Sequence, residues 1–267
     1  MPEKNKIQEE KINEVKELVD LLLSFDSESR REFIKFSKKP LLYTEVDRLV
    51  GQPIERTTSS PVRDAAWNLI CEVVGPDRWQ LKKTLFAKLK IASGDTSTFT
   101  EIRNLLNKAM TDFELEISNH GLNRTFRFWS EAEKEEYFKN SVQIIDALQT
   151  LGLQPMHFYG TLLGIIRDGH LIPHDDDIDI VVPIQRSTFL SFSKAEIIQE
   201  FTNILQTEGI RVVRDFDNHL HILYGNHSKP IDLFFATFTM REVQIWPGRL
   251  QDISINHIYP TQNYQIY

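Results

Sequence analysis

The residues most able to do chemistry in this chain are four aspartates crowded into positions 175–179, within the segment HDDDIDIVV. Asp175, Asp177 and Asp179 alternate, so on a strand their side chains project to one face. Carboxylates at such spacing repel each other unless a cation lies among them. Oxygen ligands without histidine or cysteine partners favour Mg²⁺ or Mn²⁺ over zinc. The pattern therefore predicts a divalent metal site, with Asp177 and Asp179 as ligands and Asp175 as a further ligand or a base.

An EF-hand calcium loop is excluded for this segment. Counted from Asp175, position 6 is Ile180 where such a loop needs glycine, and position 12 is Arg186 where it needs glutamate. A solvated acidic turn is the simpler alternative. Hydrophobic residues fill the rest of 178–182 around Asp179, however, and they draw the segment towards a core.

A third carboxylate, Asp232, lies 53 residues after Asp179 in the segment PIDLFF. It is required if two metal ions are to be held. Its neighbours are apolar, so burying it without a counter-charge would be costly. We therefore predict Asp232 as a metal ligand on a second strand, beside the pair formed by Asp177 and Asp179.

A phosphate-binding turn is predicted upstream, where Gly160 and Thr161 open a helix after the short apolar run MHFY. A strand–glycine–helix turn brings backbone N–H groups and the helix dipole close to a phosphate, and the hydroxyl adds a donor. Asp177 follows Gly160 by 17 residues, which leaves room for one helix and a return loop. Arg167 closes the helix, where it either neutralises a phosphate or interacts with the helix dipole.

The elements that must position these residues divide into a helical first half and an α+β second half. Hydrophobic periodicity and capping signals predict six helices before residue 153. They run from Ile12 to Leu22, from Ser29 to before Pro40, from Ser60 to Gly75, from Asp77 to Gly94, from Thr98 to His120 and from Ser130 to Gly152. Strands are predicted at 156–159, at 177–182 and between 211 and 238, with helices at 161–167 and 194–207.

The predicted domain organisation follows that division. Residues 1–125 form a helical region of unknown role, and residues 126–267 form a catalytic α+β domain with a mixed sheet. The closing stretch alternates like further sheet and stops at Tyr267 in mid-pattern, so we expect the catalytic domain to be truncated.

Composition limits the classes of function. The chain has 267 residues, a net charge of −7 and 41% hydrophobic residues, which excludes intrinsic disorder. Cys71 is the single cysteine, so no internal disulfide or cysteine-based zinc cluster forms. An acidic chain lacks the basic field of nucleic-acid binders, and no nucleic-acid partner is expected. Without a signal peptide or an apolar span, a cytoplasmic location is expected, with peripheral attachment to a membrane surface left open.

The acidic motif and the glycine-led helix together resemble a known family. GTLLGIIR followed by HDDDIDI resembles the signature GTLLG…R…DDDID of the LicD/fukutin family of phosphotransferases, and PIDLFF resembles that family's later strand. The resemblance covers about residues 135–240. It implies a nucleotidyltransferase-type fold and transfer of a substituted phosphate, such as choline, glycerol or ribitol phosphate, from a CDP-activated donor to a glycan in cell-surface polysaccharide synthesis. His174 departs from the pattern, since a tryptophan commonly precedes the aspartates.

Two other functions use some of the same residues. A nucleotide-sugar glycosyltransferase needs the D-x-D pair Asp177 and Asp179 for Mn²⁺, but neither Asp232 nor the glycine-led helix. A catalytically inactive scaffold would bind a partner through its N-terminal helices and keep the transferase fold as a relic. The intact acidic set argues against the scaffold.

The sequence leaves two interpretations for a pair of histidines. His219 and His221 alternate on a predicted strand and could bind a metal or a phosphate. The simpler interpretation is that they face solvent or are hydrogen-bonded in place, because no carboxylate or cysteine completes a site at fixed spacing in the sequence.

Overall fold

The computed structural model describes residues 2–37, 60–73, 79–118, 120–185, 199, 202–203, 205–215, 219–227, 229–238 and 243–245. The chain divides into two compact units, Met1–Phe128 and Trp129–Tyr267. The predicted α+β class, with a helical first half and a mixed sheet in the second, is confirmed. Among the described helices, none is both long enough and apolar enough to cross a membrane.

The first unit is built from helices around one hydrophobic core. Its elements are α1 (Pro2–Leu23), α2 (Ser27–Ser37), α3 (Pro61–Cys71), α4 (Trp79–Ser93), α5 (Thr96–Met110) and a hairpin of β1 (Glu116–Ser118) and β2 (Gly121–Asn123). The periodic stripe predicted for α1 is buried, with Val15 and Leu22 fully inaccessible. Arg30 is also buried; its guanidinium donates to the carbonyls of Leu22 and Ala109 and pairs with Asp112 at 2.8 Å.

Several helix boundaries in this unit differ from prediction. The carboxylates of Asp26 and Asp95 accept the N–H groups of Ser29 and Thr98 at 2.8 and 3.0 Å. The caps are therefore these aspartates, which precede the Ser and Thr predicted to cap and are equally good capping residues. The fifth helix was predicted to reach His120 but ends at Met110, and the hairpin follows it.

The second unit contains a mixed sheet with helices. Its elements are α6 (Glu131–Thr150), β3 (Met156–His157), α7 (Tyr159–Asp168), β4 (Asp179–Gln185), β5 (Ile210–Asp215), β6 (His219–Tyr224), β7 (Ile231–Phe238) and β8 (Val243–Ile245). The strand order is β3-β4-β7-β6-β5, and β8 pairs with β7 beyond the end of β6. Only the pairing of β4 with β7 is parallel among these described strands.

Several predicted boundaries shift in this unit. The capping box of Ser130 and Glu133 at the start of α6 is confirmed. β4 begins at Asp179 instead of 177, so the preceding aspartates lie in the approach to the strand. The predicted helix at 194–207 and the sheet pattern towards Tyr267 lie mostly outside the described residues.

The face of the sheet beside α6 carries a largely buried histidine, His157 of β3. Its ring stacks on Phe138 with centroids 5.0 Å apart, and its Nε2 lies 2.9 Å from the Ser141 hydroxyl. Burial lowers the pKa of His157 from 6.5 to about 4. The ring is therefore neutral in the folded protein at neutral pH.

His157 makes the free energy of unfolding depend on pH. Between pH 6.5 and about 4, the unfolded chain binds a proton at this residue that the folded protein does not bind. The free energy of unfolding is therefore highest above pH 6.5, and it falls by about 3 kcal/mol as the pH is lowered to about 4. His157→Gln should flatten this part of the profile measured by urea denaturation. His170→Gln, at an exposed position, should leave the profile as in the parent, and equal profiles for all three proteins would contradict the assignment.

Candidate metal centre

Three carboxylates converge where β4 and β7 begin. Asp179 and Asp232 are direct partners in the parallel ladder, so their side chains lie next to each other on one face. Asp177 precedes β4 by two residues. Carboxylate oxygens of the three residues lie within 4.8 Å of one another, and Asp179 is 8% exposed. Sheet pairing therefore unites residues that are 53 positions apart in the sequence.

The first turn of α7 holds Asp179 in place through its backbone. The buried Thr161 hydroxyl accepts the Asp179 N–H at 2.9 Å, and the Phe158 N–H donates to the Asp179 carbonyl at 3.1 Å. Thr161 was predicted to donate to phosphate, and its hydroxyl hydrogen is not used in accepting this bond. The same residue thus connects the glycine-led helix to the acidic strand.

A buried tyrosine connects the approaches to β4 and β7. The Tyr137 hydroxyl accepts the Ile178 N–H at 3.3 Å and donates to the Pro230 carbonyl at 2.6 Å. The Asp232 N–H in turn donates to the Ile178 carbonyl at 3.0 Å. Burial, and then the charge of Asp177, raise the pKa of Tyr137 well above its ordinary value of 10. The phenol therefore stays protonated, as its bond to Pro230 requires.

Lys229 brings a positive charge to the acidic segment. Its ammonium donates to the Asp176 carbonyl. It also lies 4.0 Å from the ring centroid of Trp129 and 5.3 Å from that of Tyr137. Aromatic faces attract a cation at such distances, so the two rings hold the ammonium beside the backbone of the aspartate run.

Asp175 lies against the N-terminal turn of α7. A Cβ on Gly160 would come within 2.3 Å of its Oδ2, so a larger residue at this position would displace the carboxylate. Asp175 Oδ1 also accepts the N–H of Asp176 at 3.1 Å. Tyr159, just before Gly160, has a φ of 45°, a conformation that costs energy for a residue with a side chain. The sharp turn and the missing side chain together let the loop carrying Asp175 approach the helix.

Arg167 lies at the opposite end of α7 from Thr161. Six residues of helix separate their Cα atoms by about 9 Å. The exposed guanidinium pairs with the neighbouring Asp168 at 2.5 Å. A contact between Arg167 and phosphate stays a prediction. His174, where the family pattern has tryptophan, is also exposed.

The two histidines of β6 lie beside the third aspartate. His221 Nε2 is 3.1 Å from Asp232 Oδ1, and His219 Nε2 is 3.5 Å from Asp232 Oδ2. The sequence spacing did not indicate a carboxylate beside these histidines, and the neighbouring strand supplies one. Burial lowers the pKa of His219 below its ordinary value.

The donors of the acidic centre match a hard divalent cation. Three carboxylates with oxygens within 4.8 Å of one another provide the charge and the oxygen ligands that Mg²⁺ and Mn²⁺ prefer. With these observations in place, residues 152–266 match the family model described as LicD/FKTN/FKRP, nucleotidyltransferase domain. The segment is therefore similar to this domain, which is consistent with membership of the LicD/fukutin family. Searches with the chain among curated proteins and among solved structures gave no significant match.

The segment that matches the family model contains most of the centre but not all of it. All three carboxylates, the Gly160–Thr161 turn and the β6 histidines lie within the matched segment. Tyr137 and Trp129 precede it, on and before α6. Sequence reasoning did not select Tyr137, because an aromatic residue on an amphipathic helix carries no signal of its own. The hairpin pattern of β6 and β7 was the signal that could have paired His221 with Asp232.

The bond between Thr161 and Asp179 can be tested by a matched pair of variants. Thr161→Val removes the acceptor and leaves the buried Asp179 N–H unpaired, which should lower the free energy of unfolding by about 1–3 kcal/mol. Thr161→Ser keeps the hydroxyl and should lower the free energy of unfolding by less than Thr161→Val does. Urea denaturation of both proteins measures the difference, and equal stabilities would show that the hydroxyl does not hold the strand.

Proposed function

We propose that this protein is a metal-dependent phosphotransferase that moves a substituted phosphate from a CDP-activated donor to a glycan hydroxyl, in the synthesis of a cell-surface polysaccharide. The convergence of Asp177, Asp179 and Asp232 beside the first turn of α7 carries the proposal. The match of residues 152–266 to a phosphotransferase-type family supports it. Choline, glycerol and ribitol phosphate are the groups expected from that family.

The reaction exchanges the phosphoanhydride bond of the donor for a phosphate ester bond to the acceptor. The acceptor hydroxyl oxygen attacks the donor phosphorus that carries the substituent, the bond from that phosphorus to CMP breaks, and CMP leaves with the electron pair. A divalent cation held by Asp177, Asp179 and Asp232 would offset the charge that builds up on the phosphates.

The remaining tasks fall to groups of the protein around the carboxylates. We expect the N–H groups in the first turn of α7 and the Thr161 hydroxyl to bind phosphate oxygens. Asp175 borders the same turn, where its carboxylate can take the proton of the acceptor hydroxyl.

The position of Asp232 favours phosphate transfer over a nucleotide-sugar glycosyltransferase. A D-x-D enzyme needs only the pair Asp177 and Asp179, whereas here Asp232 lies directly beside Asp179 in the ladder. A relic fold would have no reason to keep three mutually repelling carboxylates together. The choice of nucleotide distinguishes the proposed function from both alternatives.

Donor choice is tested by thermal denaturation and by CMP release. In the presence of Mg²⁺, CDP-choline, CDP-glycerol or CDP-ribitol should raise the melting temperature, because a ligand that binds only the folded state stabilises it. UDP-glucose should not, and the CDP compound that binds should yield CMP with a glycan acceptor. A shift with UDP-sugars alone would support the glycosyltransferase, and no shift with any nucleotide would support the scaffold.

Neutralising single aspartates tests the residues. Asp177→Asn, Asp179→Asn and Asp232→Asn should each reduce metal-dependent CMP release at least about a hundredfold, equivalent to about 2.7 kcal/mol of lost transition-state stabilisation. Without added metal these variants should be as stable as the parent or more so, because each removes a repulsive charge. Asp146→Asn, at an exposed position on α6, is the matched control. Undiminished turnover in Asp177→Asn or Asp179→Asn would refute the assignment.

A further inference from the structure

The second cluster of metal-binding side chains in the described residues is formed by His219, His221 and Asp232. One donor atom from each residue lies within 4.8 Å of the other two. Asp232 belongs to both this cluster and the carboxylate centre. We propose that His219, His221 and Asp232 bind a first-row transition-metal cation of the Zn²⁺ type, in a second site that shares Asp232 with the three-carboxylate centre.

Strand pairing gives the cluster its geometry. β6 and β7 are antiparallel, and His221 lies directly opposite Asp232 while His219 lies opposite Phe234. Residues two apart on a strand face the same side, so both imidazoles and the carboxylate project from one face of the sheet. Three donors on two adjacent strands are held by the hydrogen bonds of the ladder and need no flexible loop.

The distances match a metal coordination shell. Ligand atoms about 2.0–2.1 Å from a tetrahedral zinc ion lie about 3.3–3.4 Å from each other. The two imidazole nitrogens are 3.1 and 3.5 Å from the oxygens of Asp232. His221 approaches Oδ1 and His219 approaches Oδ2, so both imidazoles already face the carboxylate that would complete the site.

The orientation of one ring is fixed by its neighbours. The imidazole of His219 stacks on Phe234 with centroids 4.9 Å apart and an angle of 25°. Phe234 is itself packed edge to face against Tyr159. The aromatic contacts hold the ring plane while its Nε2 points towards Asp232.

The donor types give the two sites different metal preferences. Imidazole suits zinc, copper, iron and nickel, whereas carboxylates suit magnesium and manganese. Three protein ligands also leave at least one coordination position of zinc open, as in sites that exchange water or a substrate oxygen. Asp232 is therefore shared by two sites: one with imidazole ligands, which suits zinc, and one with carboxylate ligands alone, which suits magnesium or manganese.

Zinc binding by the purified full chain tests the inference without measuring transfer activity. Titration calorimetry with Zn²⁺ in millimolar Mg²⁺ should show one bound ion, and Co²⁺ should give a visible absorption spectrum typical of imidazole ligation. His219→Ala and His221→Gln should each weaken Zn²⁺ binding at least about tenfold. His221→Gln is the sharper variant, because its amide can still donate to Asp232 and keep the fold.

Two controls separate this site from its neighbour. His227→Ala removes an imidazole after the end of β6, outside the cluster, and should bind Zn²⁺ as the parent does. Asp177→Asn damages the carboxylate centre alone and should also keep Zn²⁺. Loss of Zn²⁺ in Asp177→Asn with full binding in both histidine variants would overturn the proposal, as would the absence of Zn²⁺ binding by the parent. Neither result depends on whether the protein transfers phosphate.

Discussion

Electrostatic repulsion among Asp177, Asp179 and Asp232 is the constraint that the rest of the second unit must meet. Their oxygens lie within 4.8 Å of one another, and Asp179 is nearly buried. Ionised carboxylates in such a group would move apart if their backbones were free to do so. The fold prevents this by fixing the main chain and leaving the charges for a cation to balance.

The fixed main chain explains why uncharged groups surround an acidic centre. Thr161 accepts the N–H of one aspartate, and Tyr137 ties the residue before that aspartate to the residue that leads into β7. Each of these hydrogen bonds adds only modest net stability, but leaving one of its buried partners unpaired would cost more. Lys229 adds one positive charge, directed at a backbone carbonyl and held by aromatic rings. Positioning and charge balance are therefore provided by different residues.

The parts of the site that depend on local spacing were predictable from the sequence. The alternating aspartates, the Gly160–Thr161 turn and the capping box at Ser130 each lie within a few residues, where geometry follows from the element type. Asp232 could be selected because burying a carboxylate among apolar residues is costly unless a counter-charge balances it. The helical first half and the α+β second half followed from periodicity in the same way, whereas the mixed sheet followed from the family resemblance.

The parts that depend on pairing between separate elements were not predicted. The contact of His221 with Asp232 requires the register of β6 on β7, and the role of Tyr137 requires the packing of α6 on the sheet. The end of α5 at Met110 was missed because the apolar residues that follow continue a helical spacing, although Ile117 pairs with Leu122 in a hairpin. The aspartate caps were missed because a later Ser or Thr offered an equally good signal.

The connection between β6 and β7 has an unusual consequence for variation in this protein. Surface loops commonly accept insertions and deletions. Here the length of the connection determines which β6 residue lies opposite Asp232, and a shift of one position would turn both histidines to the other face of the sheet. This turn should therefore keep its length among related chains that retain the two histidines, even where its residue types change.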